Sequence, residues 1–220
     1  MGEEVLKSFI SQIDPKPNES ISLYSTMNNN PIRYTDPLGD TVKVDSKATK
    51  QFATAFAISS DALKKAQMNM FIKNLQNSKN VYTIKETKGT SGVAGSRFDP
   101  KTNTIYWNQK IMMITTSGKF LSATTMLNHE LDHASRWDKD SKGMLKDYDV
   151  KAGGYGNAEE KRVISGSEQS TARGLGEISS KETTRSDHFG TMFESEGKNP
   201  LSVEPKAMGI TAPKTKKDNE

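Results

Sequence analysis

From Thr41 onward the hydrophobic positions switch between a period of two and a period of three to four. Those switches predict the elements of a mixed α+β domain. Thr41-Val-Lys-Val-Asp45 alternates and predicts a short strand. Residues 46–58 predict a helix with Phe52, Phe56 and Ile58 turned inward. Ser60 and Asp61 are placed to cap a second helix reaching about Gln76, with Leu63, Ala66, Met70, Phe71 and Leu75 on its apolar face. Residues 81–86 alternate as a strand, and residues 97–107 predict a hairpin turning at Asp99-Pro100-Lys-Thr-Asn103. Leu121, Met126, Leu127, Leu131, Ala134 and Trp137 then recur at helical spacing behind Ser122, a good N-cap. Residues 138–157, with Asp138-Lys-Asp-Ser-Lys-Gly143 and Gly153-Gly-Tyr-Gly-Asn157, predict a loop. A further helix begins at Asn157, is interrupted at Gly166, and resumes over residues 167–176.

The flanks read differently. Residues 1–40 carry short apolar pieces between Pro, Asn, Asp and Gly turns, with too little apolar area to fold alone. Beyond Phe193 the chain is rich in Pro, Lys and Glu and is expected to be disordered. The expected division is therefore 1–40, a domain over 41–193, and a tail over 194–220.

The helix behind Ser122 carries the chemistry. His129-Glu130-Leu131-Asp132-His133 is a complete H-E-x-x-H. Residues four apart share a helix face, so both imidazoles can reach one metal ion. Glu130 then lies beside the open coordination position, where a carboxylate can take a proton from water. Two of the chain's three histidines sit in this motif; the third is His188. A catalytic zinc site normally takes three protein ligands. Arg136 and Lys139 stand where a metzincin extension would need glycine and histidine, and the chain has no cysteine. The third ligand is therefore expected to be a downstream carboxylate. Glu159 and Glu160, 26 and 27 residues past His133, are favoured because a helix would hold them; Asp138, Asp140, Asp147 and Asp149 are the alternatives.

Composition narrows the classes. The 220 residues hold 31 basic and 27 acidic side chains, well mixed, for a net charge of +4. That balance gives no footprint of a dedicated nucleic-acid binder, and the basic run at Lys214–Lys217 lies in the terminal tail. Cysteine is absent, which excludes disulfides and Cys-based metal sites. No apolar run approaches the ~18 residues of a membrane span. The first residues, Met1-Gly-Glu-Glu-Val-Leu-Lys, show no apolar signal-peptide core, so export is expected to need another route.

Two stretches resemble known families. Leu23-Tyr24, Asn28-Asn-Asn-Pro31, Tyr34 and Asp36-Pro-Leu-Gly39 resemble the end of an RHS-repeat-associated core, the cage element that precedes variable toxin domains. Asp14-Pro15 and Asp36-Pro37 keep the spacing of that family's self-cleavage elements, although Pro17 replaces the first glycine. From about Thr41 to Gly190 the chain resembles RHS-associated zinc metallopeptidases similar to NleD-type effectors, distant relatives of clostridial neurotoxin light chains. The matching residues are Asn128–Ala134, Glu159-Glu160 with Val163-Ile164, Glu168, Ala172–Glu177 and Arg185-Ser-Asp-His188.

The resemblance implies a zincin-like metalloprotease domain with a small β-sheet and an H-E-x-x-H helix. It implies Zn²⁺ bound by His129, His133 and Glu159, with Glu160 supporting from behind. It implies Glu130 as general base, Arg185 as the oxyanion-binding residue, and His188 sharing that work in the place of a family tyrosine. Glu168 is expected either to support a histidine ligand or to face solvent. The implied partners are a protein substrate in a target cell, a cognate immunity protein, and the RHS core with its secretion machinery. The competing expectations are a catalytically silent RHS tip domain that binds a partner, and a nuclease. Neither explains a complete Glu130.

Overall fold

The computed structural model describes residues 41–89, 95–196 and 199–204. Residues 1–40, for which an RHS core end is expected from sequence, and the last sixteen residues, 205–220, lie outside the described residues. The described chain is α+β, with two small sheets around one long helix.

The first sheet runs β1 (Val42–Val44), β2 (Tyr82–Glu86), β4 (Thr104–Trp107), β3 (Arg97–Asp99). β1, β2 and β4 are parallel, and β3 closes the edge antiparallel to β4 through the expected hairpin. The turn has the chemistry read from sequence: Asp99 accepts from Lys101 N and Thr102 Oγ1, and Asn103 takes φ 49°. The second sheet is antiparallel, β6 (Phe120–Leu121), β5 (Ile111–Thr115), β7 (Gly190–Glu194), and the sequence pattern does not predict it. β7 is supplied from 75 residues or more downstream of β5, and local alternation cannot announce that pairing.

Helix α1 (Lys50–Lys65) starts at Thr49, whose side chain accepts from Phe52 N at 3.1 Å. It runs through Ser59 and Ser60, where the sequence predicts a helix boundary. Neither serine caps: Ser60 Oγ donates back to Phe56 O, and Ser59 Oγ bonds Thr124 Oγ1 across the core. The break comes later, at Gln67 with φ 60°, before α2 (Met70–Gln76). Ile58 and Met70, both expected inward, are exposed. Phe52 and Phe56 are buried against Trp107, with ring centroids 5.5 and 6.4 Å apart. Trp107 Nε1 also donates to Ala123 O at 2.7 Å, which ties the first sheet to the start of the next helix.

That helix, α3 (Ala123–Asp149), is the structural axis. Ser122 caps it as expected, accepting from Thr125 N at 3.2 Å. Residues 123–135 are all buried, because both sheets and the following helices cover that half. The segment after Trp137, expected to be loop, is helical. The helix leaves its path at Asp140 (φ −151°, ψ 68°), and Asp140 Oδ1 then accepts from Gly143 N at 2.9 Å. Asp140 thus restarts the helix as a second N-cap. A Cβ at position 143 would sit 2.0 Å from Asp140 Oδ2, so this cap requires glycine there.

Asn157 caps α4 (Ala158–Val163), accepting from Glu160 N at 2.9 Å. The expected interruption at Gly166 is a π-helical turn over Ile164–Glu168, followed by α5 (Gln169–Gly174). Such a turn holds one extra residue and rotates the later side chains around the helix axis. Past 193, β7 includes Glu194, and Pro200 O accepts from Thr124 N and Thr124 Oγ1; most of the expected tail lies outside the described residues. No described helix is long and apolar enough to cross a membrane.

Candidate metal centre

On α3, His129 and His133 project together and bring their Nε2 atoms to 3.2 Å. Glu160, in the first turn of α4, faces them. Its Oε2 lies 3.3 Å from His129 Nε2, and its Oε1 lies 3.5 Å from His133 Nε2. Donors bound to a tetrahedral ion at ~2.0–2.2 Å stand ~3.3–3.6 Å from one another. His129, His133 and one oxygen of Glu160 lie close enough to form a group that could hold one metal ion.

The remaining nitrogens fix the tautomers. His129 Nδ1 is 3.0 Å from Glu168 Oε2, and His133 Nδ1 is 2.9 Å from Glu159 Oε1. Both glutamate side chains are fully buried. Each carboxylate accepts the Nδ1 proton, which turns the two Nε2 atoms toward each other and toward Glu160. Metal-ligating histidines are regularly held in this way. Each carboxylate is in turn neutralised. Arg185 donates through Nε and Nη2 to Glu168 at 2.9 and 2.5 Å. Arg162 and Arg136 donate to Glu159 at 2.7 to 2.9 Å. Arg162 also binds Asp132 through both carboxylate oxygens, and Ser167 Oγ joins them. The middle of the H-E-x-x-H motif therefore anchors α4 to α3.

The structure corrects the expected roles of the glutamate pair. The sequence leaves the pair open and the resemblance implies Glu159 as the ligand with Glu160 behind it; in the structure it is Glu160 that joins His129 and His133 in the group able to hold a metal ion. Asn157 sets the helix register, and neighbours on a helix point ~100° apart. Glu159 consequently turns behind His133, while Glu160 turns to the Nε2 side. Among the aspartate alternatives, Asp138 accepts from Ser78, Asn80 and Tyr82, Asp140 caps a helix, and Asp147 pairs with Arg136. Glu168, for which support and solvent exposure are both open in the sequence, supports.

The electrostatics favour positive charge at the centre. Burial pulls His129 down, but Glu160 and Glu168 outweigh it and raise its pKa to about 10. Burial likewise pulls His133 down, and Glu159 and Glu160 raise it to about 9. Burial raises Glu159 and Glu168, yet Arg162 with His133, and His129 with Arg185, hold them down to about 2. Glu160 is lowered further by the three histidines around it, against the effect of its burial. Its Oε2 is nonetheless buried without a well-formed hydrogen bond. A divalent cation would satisfy the unpaired oxygen and replace the protons that this field holds on the imidazoles.

The catalytic candidates share one pocket, lined among others by His129, Glu130, Arg185 and His188. Glu130 is buried, and its Oε2 accepts Phe98 N from edge strand β3 at 2.8 Å. An edge strand's backbone N–H could pair with substrate; here it positions the carboxylate instead. Arg185, whose spacing alone suggests a surface residue, is 3% exposed. Its Nε and Nη2 donate to Glu168, and its side chain also lines the pocket. His188 is half-exposed, with Nε2 3.2 Å from Glu160 Oε2. Sequence reasoning missed Tyr148, whose ring stacks on His133 at 6.3 Å and 26°. Its hydroxyl is shifted upward by burial and by the charges of Glu160, Glu159 and Glu130. The sequence offers one signal for it, an aromatic residue in a segment with loop character.

Comparison of the chain with protein-family models, with curated proteins and with solved structures finds no match in any of the three.

Proposed function

We propose that this chain is a zinc-dependent endopeptidase with a zincin-like domain, acting as the toxin part of an RHS-type polymorphic toxin. One observation carries the reading. Two imidazoles have their Nδ1 atoms clamped by buried carboxylates and their Nε2 atoms aimed, with Glu160, at one point beside Glu130. A surface helix with two incidental histidines has no use for such clamps, and a silent binding domain has no use for Glu130.

Zinc in a three-ligand site supplies Lewis acidity and makes water nucleophilic near neutral pH. Glu130 supplies the base. Phe98 N–H fixes its Oε2, so Oε1 takes the proton from water and later delivers it to the leaving amine. Arg185 holds Glu168, and through it the orientation of His129. His188, half-exposed beside Glu160 and lining the same pocket, would donate to the substrate carbonyl. The RHS resemblance of residues 1–40 supports delivery into a target cell, and with it a cognate immunity protein and a protein substrate there.

The test is Glu130→Gln in the full chain. Zinc content and circular dichroism should match the wild type, while proteolysis and toxicity fall by about 100- to 10,000-fold, the usual effect of losing a general base. A Glu130→Gln protein that still kills cells expressing it would refute the peptidase reading and favour a binding or nuclease function.

A further inference from the structure

The second sheet lays one face over α3 beside Glu130. Ile111 and Met113 of β5, Met192 of β7 and Met126 of α3 meet there. Together they form the apolar part of a pocket of about 260 Å³ that is also lined by His129, Glu130, Arg185 and His188. Met113 and Met192 are direct cross-strand partners. The pocket depends on Gly190: a Cβ there would lie 2.6 Å from Met113 Sδ, so any larger residue would push that side chain from its place. The pocket is smaller than the ~300–1,000 Å³ of sites that enclose whole drug-sized ligands. It suits a single large side chain.

We infer that this methionine-lined pocket selects a large apolar residue (leucine, methionine or phenylalanine) next to the scissile bond. The inference rests on the hydrolase reading above for the identity of the bond, but the pocket's preference can be measured without turnover. An acidic side chain would enter past the Glu130 carboxylate and meet thioether walls. Arg185 would not compensate, since its Nε and Nη2 are already spent on Glu168. A lysine or arginine would find only Glu130 as an acceptor, a carboxylate that Phe98 N already engages, and would bury its stem and charge against methionine and isoleucine. Methionine walls are deformable, so several apolar shapes should be accepted in place of one.

The experiment uses the full, zinc-loaded chain. Calorimetry compares N-acetylated hydroxamates of glycine, leucine and aspartate, which share one chelating group and differ in the side chain. Leucine should bind about tenfold or more tighter than glycine, the gain from burying an isobutyl group, and aspartate more weakly than glycine. Met192→Lys should close or reverse the gap between leucine and aspartate. Equal binding of all three, or tightest binding of aspartate, would overturn the inference from the wild-type series alone, even if the variant fails to fold. A well-folded Met192→Lys with an unchanged order would also overturn it.

A parallel digest of an equimolar peptide mixture, read by mass spectrometry, separates the two readings. Cutting with no apolar preference removes the pocket inference and keeps the peptidase. Hydroxamate discrimination with no peptide cut keeps the pocket and removes the peptidase. Hydroxamates that do not bind at all remove both.

Discussion

Exchanging the roles of Glu159 and Glu160 has a measurable consequence, because the two neighbours should fail differently when changed. Glu160→Gln replaces a carboxylate oxygen 3.3 Å from His129 Nε2 and 3.5 Å from His133 Nε2 by a neutral amide. Structural zinc sites gain about 10–16 kcal/mol from four ligands, or roughly 3–4 kcal/mol for each. Loss of Glu160 should weaken zinc binding by on the order of 100- to 1,000-fold. Glu159→Gln is milder at the metal. Its amide oxygen can still accept His133 Nδ1, and disturbing such an outer carboxylate typically costs ~10- to 100-fold. Stability should rank the other way. Glu159 is fully buried against Arg136 and Arg162, and breaking a buried pair by removing one partner costs about 3–5 kcal/mol. The assay is competition for zinc against a chromogenic chelator, with thermal unfolding of the metal-free proteins alongside. A Glu159 variant that loses zinc more completely than the Glu160 variant, at equal stability, would refute the geometric assignment and make Glu159 the ligand.

The same network sets other outcomes. Arg185→Met should destabilise by about 3–5 kcal/mol by leaving Glu168 buried and unpaired, and Arg185→Lys should not fully restore it, since the contact uses two guanidinium nitrogens; urea unfolding measures both. Glu177, buried beside Ser122 and Thr125 at the start of α3, is pushed up to about 7 by burial, against the hydrogen bonds from those two residues. Between pH 4.5 and 7 the folded chain holds a proton there that the unfolded chain has released, so its contribution to stability is full below pH 4.5 and fades as pH rises through 7. Glu177→Gln should remove a loss of at most about 3 kcal/mol across that window; parallel pH slopes for the two proteins in thermal unfolding would show that Glu177 does not titrate there.

The sequence by itself determined the local parts. Period-two and helical patterns placed β1, β2, the β3–β4 hairpin and the buried half of α3, and the i, i+4 histidines with Glu130 needed only helix geometry. Ser122 and Asn157 were legible as caps because capping is a bond between residues three apart. Tertiary structure decided whatever depended on partners distant in the chain. Ser60 and Asp61 look like caps until the helix runs through them, with Ser60 donating back to Phe56 O and Asp61 paired with Lys65. Asp140 and Gly143 look like loop until one caps the other and turns Tyr148 onto His133. Arg185 looks exposed until Glu168, rotated inward by the π turn, gives it a buried counter-charge. The choice between Glu159 and Glu160 needed the register of α4 against α3. Two adjacent carboxylates are chemically identical in sequence, and the ~100° between them on a helix decides which one faces the two Nε2 atoms and which one holds the histidine from behind.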